Sequence, residues 1–449
     1  MSVFRSVNPA NNECLLVAEG WSQIETAAVM DRQQQAWGDF ARLPLSRRVG
    51  WLKRLGALLL TRQEVLARLI TDEMGKPIEQ SRAELDKTGA LIDYLVSQGV
   101  DALQPAEVQP GAVLSFEPLG GILGIMPWNY PVWQVCRFAL PALLVGNTVA
   151  LKPAPNVLLS SRYLLALIQE AGFPADVISL LQIDINVLPV VYDHSHLRQV
   201  HFTGSSEAGR AIAEACAKRL IPSTLELGGS DVWLLTEGGD LTTFVDQALA
   251  SRLNNSGQSC LCAKRWLVPR QRLDEVLARV QHQLAGFVPA APQLTGCTLG
   301  PLARADIRDR VLQQWQNLKL HANRHSDDPQ VDGQYVSPAW AVIDDPLSCS
   351  VWPDEVFGPV VQLAAYEAID EAVTWANHSR YGLGGSVWSA SIAEASEIAR
   401  RLTTRNVAIN KPMRSRIDVP FGGMGESGWG LELGAVGLQA LSRRQTRYF

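Results

Sequence analysis

Residues 199–219 read QVHFTGSSEAGRAIAEACAKR, and their pattern sets the class of structure that the chain can form. Gln199–Thr203 is a β-prone run, and a helix is predicted over 206–219. The glycine-containing turn between them brings backbone amides and a helix N-terminus together, where they can meet a phosphate. Taken alone, the turn also fits a tight bend without a ligand. Arg210 stands where a Walker A loop has lysine, so the sequence disfavours an NTPase.

Short apolar strands alternate with amphipathic helices along most of the chain. Such alternation predicts βαβ units with parallel sheets, and therefore an α/β protein with two lobes. Leucine and isoleucine spacing before residue 100 predicts helices, one of them capped by Ser46. The segments 288–300 and 321–340 are rich in Pro, Asp, Asn and Gly and are predicted to be loops. The predicted strands are 147–151, 177–181, 199–203 and 232–235 in one lobe and 265–268, 360–364, 383–388 and 406–409 in the other.

Composition narrows the possible functions. The chain has 449 residues, which suggests two to four domains. Lys and Arg total 40 against 45 Asp and Glu, a net charge of -5, so the basic excess of a nucleic-acid-binding protein is absent from the sequence. Apolar residues make up 47% and charged residues 19%, the balance of a compact soluble protein.

The sequence also indicates a compartment. The start, MSVFRSVNPANNE, lacks the basic and apolar regions of a signal peptide. The most apolar stretch, 138–151, is interrupted by Pro141 and Gly146 and is too short for a membrane span. The 7 cysteines are odd in number and scattered, which is typical of a reducing compartment. We therefore expect a cytoplasmic protein without a membrane partner.

Three polar motifs contain residues suited to catalysis. Cys260 ends the polar stretch NNSGQSC at 254–260, which would leave its thiol reachable, although most lone cysteines are small buried hydrophobes. Glu226 precedes two glycines that let a ligand come close, although a solvated surface glutamate is the default. Asn129 lies in PWNYP, where prolines fix the backbone and can hold an amide as an oxyanion donor. A proline-bracketed turn is the plainer interpretation of that motif.

Taken together and in order, the motifs resemble those of NAD(P)-dependent aldehyde dehydrogenases. Three longer stretches, WQVCRFALPALLVGN, LELGGSD and NNSGQSCLCAKR, most resemble the bacterial succinate-semialdehyde dehydrogenase branch of that superfamily. The matching motifs are PWNYP at 127–131, LKPAP at 151–155, FTGSSEAG at 202–209, ELGG at 226–229, GQSC at 257–260, EVFGPV at 355–360 and PFGG at 420–423.

The resemblance implies a covalent mechanism. Cys260, as a thiolate, attacks the aldehyde carbon, and Asn129 with the Cys260 backbone amide stabilises the oxyanion. After hydride leaves for nicotinamide, Glu226 acts as general base for the water that attacks the thioester. We also consider a reversible disulfide between Cys260 and Cys262, with a packed, inert Cys262 as the alternative.

The resemblance further implies NAD or NADP as cofactor and no metal. Pro155 stands where an acidic residue would repel the 2′-phosphate of NADP, so we expect both cofactors to work. The implied cofactor-binding residues are the ribose contacts Lys152 and Glu355, the phosphate contacts Gly204 and Ser205, the pocket wall Trp128 and the nicotinamide-side aromatic Phe357.

Two arginines predict an anionic aldehyde. Arg137 and Arg416 match positions at the aldehyde tunnel where the succinate-semialdehyde branch binds substrate, and a guanidinium there can hold a carboxylate. Asn254, however, replaces an arginine found in some members, and either arginine could instead form a structural salt bridge. Succinate semialdehyde is the expected substrate, with an uncharged or amino aldehyde as the alternative.

The resemblance implies two Rossmann-like α/β lobes and a small β element for oligomerisation. The NAD(P)-binding domain would span 1–106 and 120–225, and the catalytic domain 226–411. Segments 107–119 and 431–449 would form the oligomerisation element, so we expect a homodimer or homotetramer.

Two other functions fit the same fold. A non-catalytic relative, serving as a binding or structural protein, would have lost Cys260, Glu226 or Asn129, and all three are present. An enzyme that passes the acyl group to coenzyme A commonly lacks the carboxylate that Glu226 supplies here. The family often has Lys and Arg where Gly425 and Leu431 stand. We expect this difference to affect the choice of substrate and the assembly of subunits more than the catalytic reaction.

Overall fold

The computed structural model describes residues 2–449, so Met1, the first residue of the predicted cofactor domain, lies outside it. The first part of the chain is helical and then alternates strand with helix. Its elements are β1 Val3–Val7, β2 Cys14–Glu19, α1 Gln23–Phe40, α2 Leu45–Thr61, α3 Gln63–Met74, α4 Ile78–Tyr94, α5 Val100–Ala102, β3 Ala106–Gln109, β4 Ala112–Pro118, β5 Gly121–Ile125, α6 Trp133–Val145, β6 Thr148–Lys152, α7 Leu158–Glu170, β7 Ile178–Leu180, α8 Leu188–Tyr192, β8 Leu197–Thr203, α9 Ser206–Ala217 and β9 Ser223–Glu226.

The second part alternates again and ends in a long strand. Its elements are β10 Val232–Leu235, α10 Leu241–Leu253, β11 Arg265–Pro269, α11 Leu273–Leu284, α12 Ala305–Lys319, β12 Ala322–His325, β13 Val331–Asp332, β14 Tyr335–Val336, β15 Ala339–Ile343, β16 Val360–Tyr366, α13 Ile369–Asn377, β17 Tyr381–Gly382, β18 Gly384–Trp388, α14 Ile392–Arg401, β19 Asn406–Ile409, β20 Met424–Gly425, β21 Gly428–Trp429, α15 Gly434–Gln439 and β22 Ser442–Tyr448.

Two mostly parallel sheets form the centres of the two lobes. The first has the strand order β21-β9-β8-β5-β6-β7, and the second has the order β12-β15-β16-β11-β10-β18-β19. Their strands are largely apolar and buried, as parallel sheets covered on both faces require. A separate antiparallel sheet joins β22, β4 and β3. The predicted α/β class with two lobes is thus confirmed.

The first sheet gathers several functional residues at one edge. β5, β6, β8 and β9 are parallel neighbours, so their carboxyl ends meet there. Lys152 ends β6, Thr203 ends β8 and Glu226 ends β9, with Thr203 directly opposite Glu226. In open α/β sheets, ligands bind at this edge.

The wholly buried helix α6 anchors the core of the first lobe. All of its residues are buried, and it packs against α2, α4 and β6. Gly146, with a φ of 108°, ends the helix in the left-handed conformation that favours glycine. Because α6 begins directly after the PWNYP motif, the packing of this helix fixes where that motif lies.

Two local predictions were wrong. Ser46 does not cap α2, since the helix begins at Leu45 after Pro44 and shows no side-chain cap. The predicted loop 321–340 contains β12, β13 and β14 and the start of β15. β12 is an edge strand with polar, mostly exposed residues, and such strands share their composition with loops. Across residues 2–449, no helix combines the length and apolarity needed to cross a bilayer.

Candidate active site

A cavity of about 400 Å³ opens beside Cys260. It is lined by α4, the PWNYP turn and the start of α6, the end of α10 with Asn254, the segment 259–262, and the segment 413–415 before the PFGG motif. Its polar and aromatic lining includes Glu84, Lys87, Tyr130, Trp133, Arg137, Asn254, Cys260, Arg414 and Ser415.

The backbone that carries Cys260 is held in a strained conformation. Asn255, Ser256 and Gly257 follow one another with φ angles of 53°, 54° and 77°. A Cβ on Gly257 would lie 2.3 Å from the carbonyl oxygen of Gly358, so only glycine fits. Such non-glycine angles cost about 1–3 kcal/mol each and persist only where neighbours enforce them. The Ser256 hydroxyl, which donates to Gly300 O at 2.8 Å, is one of those restraints.

Asn129 lies directly against this segment. Its Nδ2 donates to Gln258 O at 3.1 Å, and its own carbonyl oxygen accepts a hydrogen bond from Asn255 Nδ2 at 3.0 Å. A side-chain amide has two N–H donors, so one remains for a ligand. The structure thus joins the Asn129 and Cys260 motifs and leaves one Asn129 N–H of the kind that an oxyanion donor needs.

A buried ion pair below the cavity supports the Asn129 motif. Lys76 and Glu84 form an ion pair with side chains that are both 0% exposed. Glu84 Oε1 also accepts the backbone N–H groups of Val132 and Trp133, each at 2.9 Å, at the start of α6. Lys76 Nζ lies 3.7 Å from the centre of the Tyr130 ring. Helix α4 is therefore bonded to the turn that carries Asn129.

Glu226 is buried rather than solvated, which excludes the plain surface interpretation. Its Oε2 lies 3.8 Å from Arg137 Nη2. Burial raises the pKa of Glu226, Arg137 opposes the rise and Glu432 adds to it. A carboxyl group whose pKa is raised toward neutrality can both take up and release a proton at physiological pH, as a general base requires.

The Cys260 thiol is only partly buried but has an unfavourable environment for charge. Burial raises its pKa to about 12, and the strongest opposing effect comes from Lys264. Lys264 Nζ donates to the carbonyls of Ser259 at 2.8 Å and Cys260 at 2.7 Å. Sequence reasoning missed Lys264, although it lies inside the stretch NNSGQSCLCAKR, because no local pattern shows that its ammonium bonds the carbonyls of Ser259 and Cys260.

Cys262 is buried beside the cavity, and hydrogen bonds hold its thiol. Its Sγ lies 2.9 Å from Arg252 Nη1 and donates to Ser259 O at 3.0 Å. Arg252 is itself fully buried and bonded to Val360 O. In residues 2–449 every cysteine is a free thiol. This placement favours the packed alternative for Cys262.

The two predicted substrate arginines differ in position. Arg137 lines the cavity but is buried, with Nε 2.5 Å from Glu432 Oε2, so the structural salt bridge considered for it is present. Arg416 is exposed and binds both oxygens of Asp418. The structure does not bring Arg416 to the cavity, where Arg414 lies instead.

The predicted cofactor residues surround the carboxyl edge of the first sheet. Trp128 and Phe357 meet edge to face, with ring centres 6.0 Å apart. Glu355 Oε1 accepts the N–H of Gly229 at 3.1 Å, and Pro155 is exposed at the start of a short 3₁₀ turn. Each therefore has a defined place at the rim of this site.

The polar groups at this edge suit an anionic nucleotide. Ser205 follows Gly204 and caps α9, accepting the N–H of Ala208 at 3.3 Å, so the positive end of a 12-residue helix faces outward. Lys152 is only 7% exposed, and no ion pair neutralises it within the described chain. Burial lowers its pKa, and a bound phosphate or ribose would compensate that cost. The residues thus fit NAD or NADP.

The chain is similar to known proteins over nearly its whole length. It matches the sequence profile of the Aldehyde dehydrogenase family over residues 2–446. It is 36% identical to a succinate-semialdehyde dehydrogenase [NADP(+)] of Deinococcus radiodurans, covering 97% of this chain and 92% of that protein. It is 34% identical to the succinate semialdehyde dehydrogenase [NAD(P)+] Sad of Escherichia coli K12, covering 98% and 96%. The succinic semialdehyde dehydrogenase of Streptococcus pyogenes, solved with NADP+, has a TM-score of 0.96 at 28% identity, covering 99% of each chain.

Proposed function

Because the chain belongs to the aldehyde dehydrogenase family, we propose that it oxidises succinate semialdehyde to succinate with NAD or NADP as hydride acceptor. One observation supports this proposal above all: the Asn129 amide is hydrogen-bonded to the Cys260 segment beside a cavity, and Glu226 is buried next to Arg137. The proposed substrate comes from the relatives, two of which are named succinate-semialdehyde dehydrogenases. The family resemblance seen in the motifs is thereby confirmed.

The side chains divide the chemistry between them. Cys260 Sγ, as the thiolate, attacks the aldehyde carbon, and the resulting oxyanion accepts hydrogen bonds from Asn129 Nδ2 and the Cys260 backbone N–H. NAD(P), when bound, supplies the hydride acceptor that converts the adduct to a thioester. Glu226 then removes a proton from the water that attacks the thioester, the C–S bond breaks, the acid leaves and the Cys260 thiolate is restored.

Both nicotinamide cofactors fit the residues at the ribose end. Lys152 supplies a cation, and Pro155 leaves that position without the carboxylate that would repel a 2′-phosphate. The Nδ2 of the neighbouring Asn156 is buried and has no hydrogen-bond partner within residues 2–449, so it offers a further donor. One similar protein is named for NADP(+) and another for NAD(P)+.

The arrangement of sheets supports the proposed division into domains. The first sheet falls within 1–106 and 120–225 except for β21 and Glu226, the last residue of β9, and the second sheet falls within 226–411. Segments 107–119 and 431–449 meet where β4 pairs with β22. The edge strand β3 of that sheet is fully exposed, which suits the proposed homodimer or homotetramer. The free thiols favour the proposed cytoplasmic location.

A substrate panel tests the proposal. Succinate semialdehyde, butanal and an amino aldehyde are each assayed with NAD and NADP by the absorbance of the reduced nicotinamide. Succinate semialdehyde should exceed butanal by at least about tenfold in kcat/KM. Equal or better oxidation of butanal or the amino aldehyde would overturn the substrate, and oxidation of none of them would favour a non-catalytic binding protein.

A further inference from the structure

Lys87 brings an amino group to the wall of the cavity beside Cys260, and the reaction described above does not use it. Its Nζ donates to Ser415 Oγ at 2.8 Å and lies 4.1 Å from the centre of the Trp133 ring. A hydroxyl accepts one of its protons, and the aromatic face attracts a cation. These contacts hold Lys87 in one position while its remaining N–H groups are available.

The charged neighbours of Lys87 leave it without a counter-ion. Glu84, on the same helix, already binds Lys76 and the start of α6. Arg137 is neutralised by Glu432. Arg414 is exposed at the rim of the cavity. Within residues 2–449, neither Lys87 nor Arg414 takes part in an ion pair, so the cavity carries cationic groups that no protein carboxylate neutralises.

We propose that Lys87 and Ser415 form the subsite for the carboxylate at the far end of the aldehyde, with Arg414 as a second cation at the rim. This inference rests on the proposed function. An ammonium and a hydroxyl that touch each other can both donate to one carboxylate, and such charge-assisted hydrogen bonds are stronger than neutral ones. The same charge repels an amino aldehyde. Lys87 therefore selects for an anionic substrate.

The subsite makes substrate binding depend on pH. Burial, together with the charges of Arg137 and Arg414, lowers the pKa of Lys87 to about 7, and Cys260 and Glu84 oppose this shift. Above that pH the amine in the free protein is largely neutral, so an anion binds together with a proton. For an anionic aldehyde, kcat/KM should fall as the pH rises past about 7, relative to the value for butanal.

Lys87→Met and Lys87→Arg separate charge from packing. In Lys87→Met, the preference for succinate semialdehyde over butanal should fall by about tenfold or more, through KM, with butanal oxidation within about twofold of the parent. Lys87→Arg should keep the preference and lose its decline above pH 7, since guanidinium stays charged. Lys53→Met, on the exposed face of α2, is the matched control. An unchanged preference in Lys87→Met, or the same pH decline in Lys87→Arg, would overturn the proposal.

Binding of succinate tests the subsite without turnover. Calorimetry at pH 8 in buffers of different ionisation enthalpy measures the protons taken up with succinate. The parent should take up close to one proton, and Lys87→Met should bind succinate at least about tenfold more weakly without proton uptake. If proton-linked binding occurs but the parent does not prefer succinate semialdehyde, the subsite stands and the proposed substrate fails. If succinate binds both proteins alike, the subsite is refuted whatever the substrate panel gives.

Discussion

The ammonium of Lys264 lies 3.2 Å from the carboxylate of Glu355, and this ion pair links the segment of Cys260, the proposed nucleophile, to a proposed ribose contact. Lys264 is fully buried and also donates to the Ser259 and Cys260 carbonyls. One side chain therefore bonds the backbone of the proposed nucleophile and places a positive charge near its sulfur.

Lys264→Met should raise the pKa of the Cys260 thiol further, because burial already raises it to about 12 and Lys264 is the strongest opposing charge. The rate of alkylation by iodoacetamide, measured against pH, should shift upward by about one unit or more. Lys264→Arg keeps the charge and should shift less. An unchanged alkylation profile in Lys264→Met would contradict the electrostatic role.

Cys260→Ala should abolish aldehyde oxidation, with a loss of several orders of magnitude in kcat, because no other nucleophile would form the thioester. Cys262→Ala should retain most activity, since Cys262 is buried against Arg252. Steady-state assays of the two variants show which of the two cysteines is needed for turnover. Peroxide inactivation that dithiothreitol reverses in the parent and that disappears in Cys262→Ala would instead support a disulfide switch.

Glu226→Gln should slow thioester hydrolysis by about 10²–10⁴-fold, because the amide cannot take a proton from water. A rapid burst of reduced nicotinamide, close to one per active site, should precede the slow phase in stopped-flow records. In the parent, kcat should rise with pH through a value above the pKa of a solvated glutamate, since burial raises the pKa of Glu226 and only the carboxylate is a base. Loss of the burst together with the steady rate would show that Glu226 acts before hydrolysis.

Pro155→Glu should shift the cofactor choice toward NAD, because a carboxylate would be added next to the proposed ribose site. In the parent, the kcat/KM values for NAD and NADP should lie within about a thousandfold of each other. The variant should lose at least about tenfold with NADP and little with NAD. Equal losses with both cofactors would indicate a disturbed 3₁₀ turn rather than charge repulsion.

Sequence reasoning predicted the elements whose signals are local. The run Gln199–Thr203 and the helix after it correspond to β8 and α9, because a glycine turn separates two clear periodicities. Lys87 escaped notice because a lysine on a helix is most often solvated, and only the tertiary fold places it beside Cys260. The burial of Glu226 likewise follows from β8 and β21 on either side of β9, a long-range pairing that no local pattern reveals.

The position of Arg414 at the cavity, where Arg416 was predicted, has a similar cause. Residues 411–418 lie outside helices and strands, so no periodicity fixes which side chain faces the cavity. Arg416 has an acidic neighbour, Asp418, which draws it to the surface. In a helix, side chains two positions apart lie on opposite faces, so the periodicity would have separated the two arginines.

The left-handed run at Asn255, Ser256 and Gly257 has a consequence for altering this protein by mutation. Each of these positions has a positive φ, which few residue types adopt without strain. Libraries that randomise residues 255–257 should therefore consist mostly of inactive clones. Helix α4 is regular and bonded to the PWNYP turn through Glu84, and it can exchange an inward-facing side chain without moving the sulfur. New aldehyde specificities are therefore most accessible to evolution, natural or in the laboratory, through α4 and the rim segment 413–415.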